Sequence, residues 1–468
     1  MHTHTNTHIQ MKTLIQKSIF AFMLIWIFKG NEQAYSNSSD SLVNSGKYDT
    51  LKFADTASMK PVLTDKKPHT KYNAFKKWYN SSYAEEFQPA NNDKSTSDKK
   101  WYESFAIRGY AQFRYNAILE KDSKLKCEQC DRNWSETGGF SIRRMRIILY
   151  GHIGKRVYFY IQPDFASASS STALHFAQLR DAYVDVGVDK NNEFRFRVGQ
   201  SKVPYGFENM QSSQNRLPFD RNDALNSAVT NERDLGVFFY WAPKAKRELF
   251  SILVKEGLKG SGDYGVVGVG IYNGQTANKP ELNKVPHVVA RVTYPFKVKK
   301  QILEMAFQGY SGKYIVSKEL VSSGTGATEK RDYTDQRIAG TFILYPKPFG
   351  IQAEYNFGRG PEYNKVTDSI EIQKLHGGYI TLSYIQHIKK QILIPYFRAQ
   401  YYDGGKKHEL DARSYTVQEY EFGFEWQPVK QFELVAAYSY ANRRFEDHTL
   451  QNNHVKGNSI RIQAQVNF

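Results

Sequence analysis

The chain has 468 residues, a formal net charge of +17, a mean hydropathy of −0.60 and 40 % hydrophobic content. Its 15 Pro and 32 Gly are too few for a collagen-like or low-complexity chain. Beyond residue 40 no apolar run approaches the ~20 residues of a membrane-spanning helix, so a helical membrane protein is excluded.

In chain order, Met11, Lys12 and Lys17 precede the apolar run 18–28, the charged and apolar parts of a secretory leader expected over 1–34, with Met11 as the true start. The His- and Thr-rich residues 1–10 suggest a metal tract only weakly, since they leave with the leader. Residues 35–100, rich in Ser, Asn, Asp and Lys, are expected to form a low-order periplasmic extension. Residues 101–468 carry +12 of the net charge and are expected to form one barrel domain. Cys127 and Cys130 are the only cysteines; two sulfurs without an adjacent His do not make a zinc site, and a local disulfide is the expectation.

From Phe105 onward, segments with period-two alternation recur between polar or Gly/Pro punctuation. In the first, odd positions are apolar, whereas Arg108, Gln112 and Arg114 sit on the other face. Further segments fall near 139–153, 156–165, 176–187, 193–200, 235–242, 248–255, 265–272, 286–295, 301–310, 334–345, 348–358, 375–386, 390–402, 415–427, 431–443 and 456–468. Seventeen is odd, and a single-chain bacterial barrel has an even number of strands. Short connections at 154–155, 188–192, 243–247, 296–300, 346–347, 387–389 and 428–430 alternate with long ones at 116–138, 166–175, 201–234, 273–285, 311–333, 359–374, 403–414 and 444–455. That alternation holds throughout if 248–255 and 265–272 form one irregular crossing. The expected fold is therefore all-β, a sixteen-stranded antiparallel transmembrane barrel with short periplasmic turns, long outer loops and a water-filled lumen. The last strand alternates Ile460, Ile462, Ala464, Val466 and Phe468 against Arg461, Gln463, Gln465 and Asn467, and its terminal Phe468 resembles an outer-membrane assembly signal, implying a partner in the barrel-assembly machinery.

With the apolar face toward lipid, Arg108, Arg114, Arg144, Arg146, Arg195, Arg197, Arg291, Arg398 and Arg461 turn into the lumen. Permanently charged planar forks suit oxyanions, so these are candidate anion-binding residues. Glu419, Glu421 and Glu425 face inward too and temper that preference. The connection 201–234 is the longest, and its Pro and Gly residues predict an inward turn. Its candidate constriction residues are Lys202, Tyr205, Arg216, Arg221 and Arg233; the competing expectation is a surface loop in which Arg221 pairs with Asp220 or Asp223.

Several motifs together resemble the phosphate-selective porin O and P family. They are Ser141-Ile142-Arg143-Arg144-Met145-Arg146, Ile161-Gln162-Pro163-Asp164-Phe165, Asp181-Ala182-Tyr183-Val184, the run Arg197 to Glu208, Glu232-Arg233-Asp234-Leu235-Gly236 and Tyr272-Asn273-Gly274. They cover roughly 104–300; the later strands match by pattern and by the terminal Phe. The resemblance implies a passive bacterial outer-membrane channel, often trimeric, in which lumen arginines and lysines pass anions. The family's phosphate channels carry a lysine cluster in the third loop, and here Lys202 stands alone near its start.

The expected function is passive diffusion of small polar or anionic solutes through a barrel surrounded by outer-membrane lipid and lipopolysaccharide. It requires no cofactor, metal or catalytic group. A hydrolase on the outer rim would need a partner motif for one of His152, His175, His287, His376, His387 and His408, and none is persuasive. A non-conducting adhesion or assembly barrel is the alternative. Export and the lack of a binding motif argue against nucleic acid despite the charge.

Overall fold

The computed structural model describes residues 104–119, 139–166 and 177–468. The expected leader, the extension and the pair Cys127 and Cys130 lie outside the described residues. The strands are β1 (Phe105–Ile118), β2 (Gly139–Ile153), β3 (Val157–Asp164), β4 (Gln178–Gly187), β5 (Phe194–Lys202), β6 (Arg233–Trp241), β7 (Val267–Tyr272) and β8 (His287–Val298). They continue as β9 (Gln301–Ile315), β10 (Asp332–Leu344), β11 (Phe349–Asn364), β12 (Ser369–Tyr384), β13 (Gln391–Gly405), β14 (Ser414–Val429), β15 (Phe432–Glu446) and β16 (His454–Asn467). A short segment, Gln386–Ile388, prolongs β12 along β13, so the crossings number sixteen.

Every strand pairs antiparallel with its chain neighbours, and β16 closes onto β1 with Ala111 opposite Val466. At this seam Phe468 N–H donates to Gly109 C=O at 2.9 Å and Gly109 N–H to Phe468 C=O at 2.7 Å. Closure leaves no unpaired edge, which a lipid-embedded sheet requires. The alternation predicted from sequence is present: Met145, Ile147 and Leu149, and Phe194, Phe196 and Val198, are exposed on the outside, while Arg144, Arg146, Arg195 and Arg197 are buried inside.

One expected strand is a helix. Residues 248–255 belong to α3 (Lys244–Lys255), and β7 begins only at Val267. The apolar run fits either structure by itself, but Leu249, Phe250, Leu253 and Val254 recur at helical spacing and are the residues buried. Pro243 caps its start. Gly257, at φ 67°, ends it: Gly257 N–H donates to Val254 C=O and Leu258 N–H to Leu253 C=O, both at 3.1 Å, satisfying the last carbonyls. The sixteen-strand count survives, whereas the short turn expected at 243–247 becomes a 242–266 insertion. On the other side, the loop expected at 359–374 shrinks, because β11 and β12 stay paired up to Asn364 opposite Ser369.

The lumen is not left open. The third outer loop carries two short helices, α1 (Phe207–Met210) and α2 (Asp223–Ala228), and nearly all of its residues are buried. Phe207, Leu217 and Phe219 from this loop pack with Leu249, Phe250, Leu253 and Leu258 from the α3 insertion. Wall residues including Ile302, Ile343, Tyr345, Ile394, Tyr396 and Val435 complete this apolar cluster. Burial of such side chains stabilises by roughly 1.5–3 kcal/mol each. The insertion is therefore a packed plug, not a slack loop.

Candidate functional site: the inner wall and its two inserts

Each insert is tied to the wall by polar contacts. In the third loop Tyr205 donates to Asn356 Oδ1 at 2.5 Å, and Phe207 N–H to Glu354 at 2.7 Å. Glu208 receives Arg398 at 3.0 Å and Asn222 N–H at 2.8 Å. Asp220 receives Arg461 at 2.5 Å and lies 3.6 Å from Arg114 and 3.7 Å from Arg143. Asp223 receives Lys406 at 2.5 Å and lies 3.3 Å from Arg443. Arg337 donates to Ser227 Oγ at 2.6 Å. The third loop thus contacts inward wall residues throughout, and the Arg221 pairing of the competing surface-loop reading does not form with either aspartate: Arg221 approaches Glu232 at 3.3 Å.

The α3 insert is held through Asp263, which Arg195 reaches at 2.5 Å and Arg247 at 2.9 Å. A second tie joins Lys259 to Glu425 at 2.6 Å.

Of the nine arginines expected in the lumen, eight are buried on the inward face of their strands and Arg108 is half-buried, and most hold a carboxylate. Arg146 pairs with Asp164 at 2.8 Å, Arg197 forks onto Asp185 at 2.7 and 2.8 Å, and Arg291 meets Glu304 at 3.0 Å. Arg114 and Arg461 share Asp220, Arg461 also holding Glu421 at 2.6 Å, Arg398 takes Glu208, and Arg195 takes Asp263. Arg108 is half-buried over the Tyr150 ring at 5.6 Å. Among the described residues the buried set comprises fourteen Arg and five Lys against ten Asp and nine Glu, so the interior is balanced overall. That balance follows from desolvation, since a buried charge is tolerated when paired.

Arg144 differs. Its guanidinium donates to the neutral Gln112 amide oxygen at 2.8 Å, and it stands among the charges of Arg143, Arg146 and Arg216. Of these, Arg143 lies 3.7 Å from Asp220, and Arg216 lies 3.5 Å from Glu232. Ser213 Oγ from the third loop joins the group, 2.6 Å from Tyr110 Oη and 3.2 Å from Arg146. Four guanidinium groups, those of Arg143, Arg144, Arg146 and Arg216, thus stand close together, with Asp164, Asp220 and Glu232 as the carboxylates around them.

The constriction candidates divide. Lys202 is spent on the loop's own backbone, donating to Met210 C=O at 3.1 Å and Gln211 C=O at 2.6 Å. Tyr205 anchors, Arg221 and Arg233 pair with Glu232, and Arg233 also takes Asp181 at 2.8 Å. Only Arg216 joins the Arg144 group. Apart from the inward Glu419, Glu421 and Glu425, the sequence reading missed the carboxylate side of these pairs, although Asp181 and Asp185 alternate on β4 in step with Arg195 and Arg197 on β5. It also missed Arg337, Arg443, Lys406 and Lys407. Arg337 was accessible by parity, lying two residues from Asp335 and Ala339 on the inward face of β10.

The model of the family described as phosphate-selective porin O and P matches residues 122–468. No curated protein matches. Among solved structures, Salmonella typhi OmpF in complex with daunomycin aligns over 78 % of this chain and 97 % of its own, at 11 % identity and a TM-score of 0.51. The outer membrane channel DcaP of Acinetobacter baumannii aligns over 78 % and 97 %, at 15 % identity and TM-score 0.49. An anion-selective porin from Comamonas acidovorans covers 78 % and 99 %, at 9 % identity and TM-score 0.46. The OmpF likeness concerns the fold alone.

Proposed function

We propose, from the premise that this chain belongs to the phosphate-selective porin O and P family and is an outer-membrane channel, that it passes small hydrophilic solutes passively with a preference for anions. A pore of this kind is a channel rather than an enzyme. The observation carrying the anion preference is Arg144, paired to a neutral amide among three further arginines. A guanidinium without its own carboxylate can exchange hydrogen-bond partners with a passing oxyanion at little cost, whereas Arg197 would first have to surrender Asp185. Phosphate is one candidate among small oxyanions, since the one lysine at the start of the third loop is occupied. Export through a leader over 1–34, recognition of Phe468 by the assembly machinery and homotrimer formation belong to the same reading.

The packed plug favours a second reading, a barrel that conducts little and presents its outer loops to a partner. Conductance in planar bilayers under a salt gradient separates the two. Single-channel steps with a reversal potential on the anion side are expected. A silent barrel overturns the channel as a diffusion path, and a cation-side reversal overturns the anion preference.

A further inference from the structure

Outside the barrel the apolar stripes of β14 and β15 end in Tyr420 and Tyr440, opposite each other and exposed. Exposed Tyr side chains at such an end suit the water–lipid boundary. One pair farther out on the same faces stand Gln418 and Asn442, then Thr416 and Arg444, with Asp403 opposite Thr416 on the next strand. The outward face thus changes from apolar to polar while the strands are still paired.

The extended β11–β12 hairpin does not continue the barrel wall straight outward. Its end crosses to the outer parts of β14 and β15: Ser414 Oγ donates to Glu362 at 2.6 Å, and the Lys365 ammonium bonds Asn452 and lies 3.7 Å from Glu446. Gly405 makes the approach possible, since a Cβ there would fall 2.2 Å from Pro361 C=O. Between this arm and the outward faces of β13 to β16 lies an open cleft of about 1080 Å³. Its acids are engaged locally, Glu362 by Ser414, Asp403 by Thr416 at 2.8 Å, and Glu446 by Lys365 and Arg444. Two of its cations are engaged as well, Arg444 donating to Thr416 Oγ at 2.9 Å and His454 lying 2.6 Å from Asn442 Oδ1, yet the Arg444 side chain is half exposed and Lys374 and His454 are exposed.

The geometry points to this cleft as a binding site for the phosphorylated saccharide headgroup of an outer-leaflet glycolipid. The inference rests on the outer-membrane reading for which side faces outward. Three observations converge on a lipid-borne ligand. The cleft opens sideways to the membrane, not into the lumen. It begins one residue pair beyond Tyr420 and Tyr440, where the outward face turns polar. Its amides, hydroxyls and exposed cations match sugar hydroxyls and phosphate oxygens. A ligand with acyl chains beside Phe422 and Tyr438 and its sugars in the cleft would meet apolar and polar surface in the right order.

The test uses the full-length barrel, refolded in detergent without lipopolysaccharide, and purified rough-type lipopolysaccharide as probe. Binding is read by native mass spectrometry, with Lys374→Glu/Arg444→Glu and the lumen variant Arg144→Ala compared with the parent. The expected result is a bound glycolipid on the parent and on Arg144→Ala, weakened at least tenfold in the double variant, whose heat-modifiable migration shows the barrel intact. Equal binding by the double variant overturns the site. Equal affinity for the de-acylated core oligosaccharide overturns the lipid-borne ligand. Cross-linking of chains through a Gln418→Cys thiol, with no lipid bound, overturns the proposal in favour of an interface between copies. Conductance remains a separate readout: a barrel that binds the glycolipid yet is silent removes the diffusion reading and leaves this site standing.

Discussion

Arg195 on the wall strand β5 donates to both the carboxylate and the backbone carbonyl of Asp263 in the α3 insert, at 2.5 and 2.9 Å. A residue whose inward direction suggests an anion ligand is therefore an anchor for the plug. Arg247 holds the same carboxylate from within the insert. Removing one partner of a buried ion pair costs about 3–5 kcal/mol, most of it from stranding the other. Asp263→Asn should loosen the insert while leaving the strands paired. Single-channel recordings should show larger or flickering conductance relative to the parent; unchanged steps would mean the plug does not gate the path.

The anion preference should be concentrated, not spread over nine arginines. Arg144→Ala removes a charge without stranding a carboxylate, whereas Arg197→Ala leaves Asp185 buried alone. At 4 Å a unit charge contributes from about 1 kcal/mol in water to about 4 kcal/mol near a protein surface. Arg144→Ala should therefore lower the anion-to-cation permeability ratio by about fivefold or more, read from the reversal potential in a salt gradient. An unmoved potential would place selectivity elsewhere.

These two cases show what the sequence could and could not reveal. Strand number, closure and facing were legible because lipid enforces a period of two on every strand, and the residues from Met145 to Leu149 obey it. Partnership was not legible, because a lumen side chain's neighbour lies on an adjacent strand or a folded loop: Arg461 meets Asp220 across 241 positions. The plug escaped notice because eight residues with four buried apolar side chains satisfy either a strand or two helical turns. Only the tertiary fit of Leu249, Phe250 and Leu253 against Phe207 and Ile343 decides between them.

The outer loops should respond to pH at one bridge. His448 Nδ1 lies 2.8 Å from Asp368, joining the β15–β16 loop to the end of the β11–β12 hairpin. The hydrogen bond to Asp368 raises the His448 pKa above 6.5, and hydrogen bonds from Tyr363 and then His448 lower that of Asp368 below 3.8. The His448 contribution is complete below pH 6.5 and lost as pH rises through its raised value; the Asp368 contribution is present above pH 3.8 and lost as pH falls through its lowered value. Protease nicking at 449–452 should accelerate on the alkaline side, and His448→Gln should abolish that dependence. A parent whose nicking rate is flat across neutral pH would remove the bridge from consideration.

The seam offers the last test, because Gly109 meets the Phe468 ring where β1 receives β16. A Cβ at 109 would lie 2.6 Å from the ring atoms Cε2 and Cζ and from Arg146 C=O, so no side chain fits without displacing both the ring and the β2 backbone. The reciprocal hydrogen bonds between the two residues are the last of the β1–β16 ladder, and displacing the ring pulls at that end. Gly109→Val should reduce the folded, heat-modifiable fraction after refolding from urea. Deleting Phe468 removes the ring's share of the obstruction and leaves the Arg146 carbonyl, so in the Gly109→Val background the deletion should restore refolding in vitro in part. In cells the same deletion should still lower the amount of assembled barrel, because the proposed assembly signal is gone. If the double variant refolds no better than Gly109→Val alone, the clash is with the β2 backbone and the ring is not what the glycine accommodates. If the deletion assembles normally in cells, Phe468 serves the seam and not the assembly machinery.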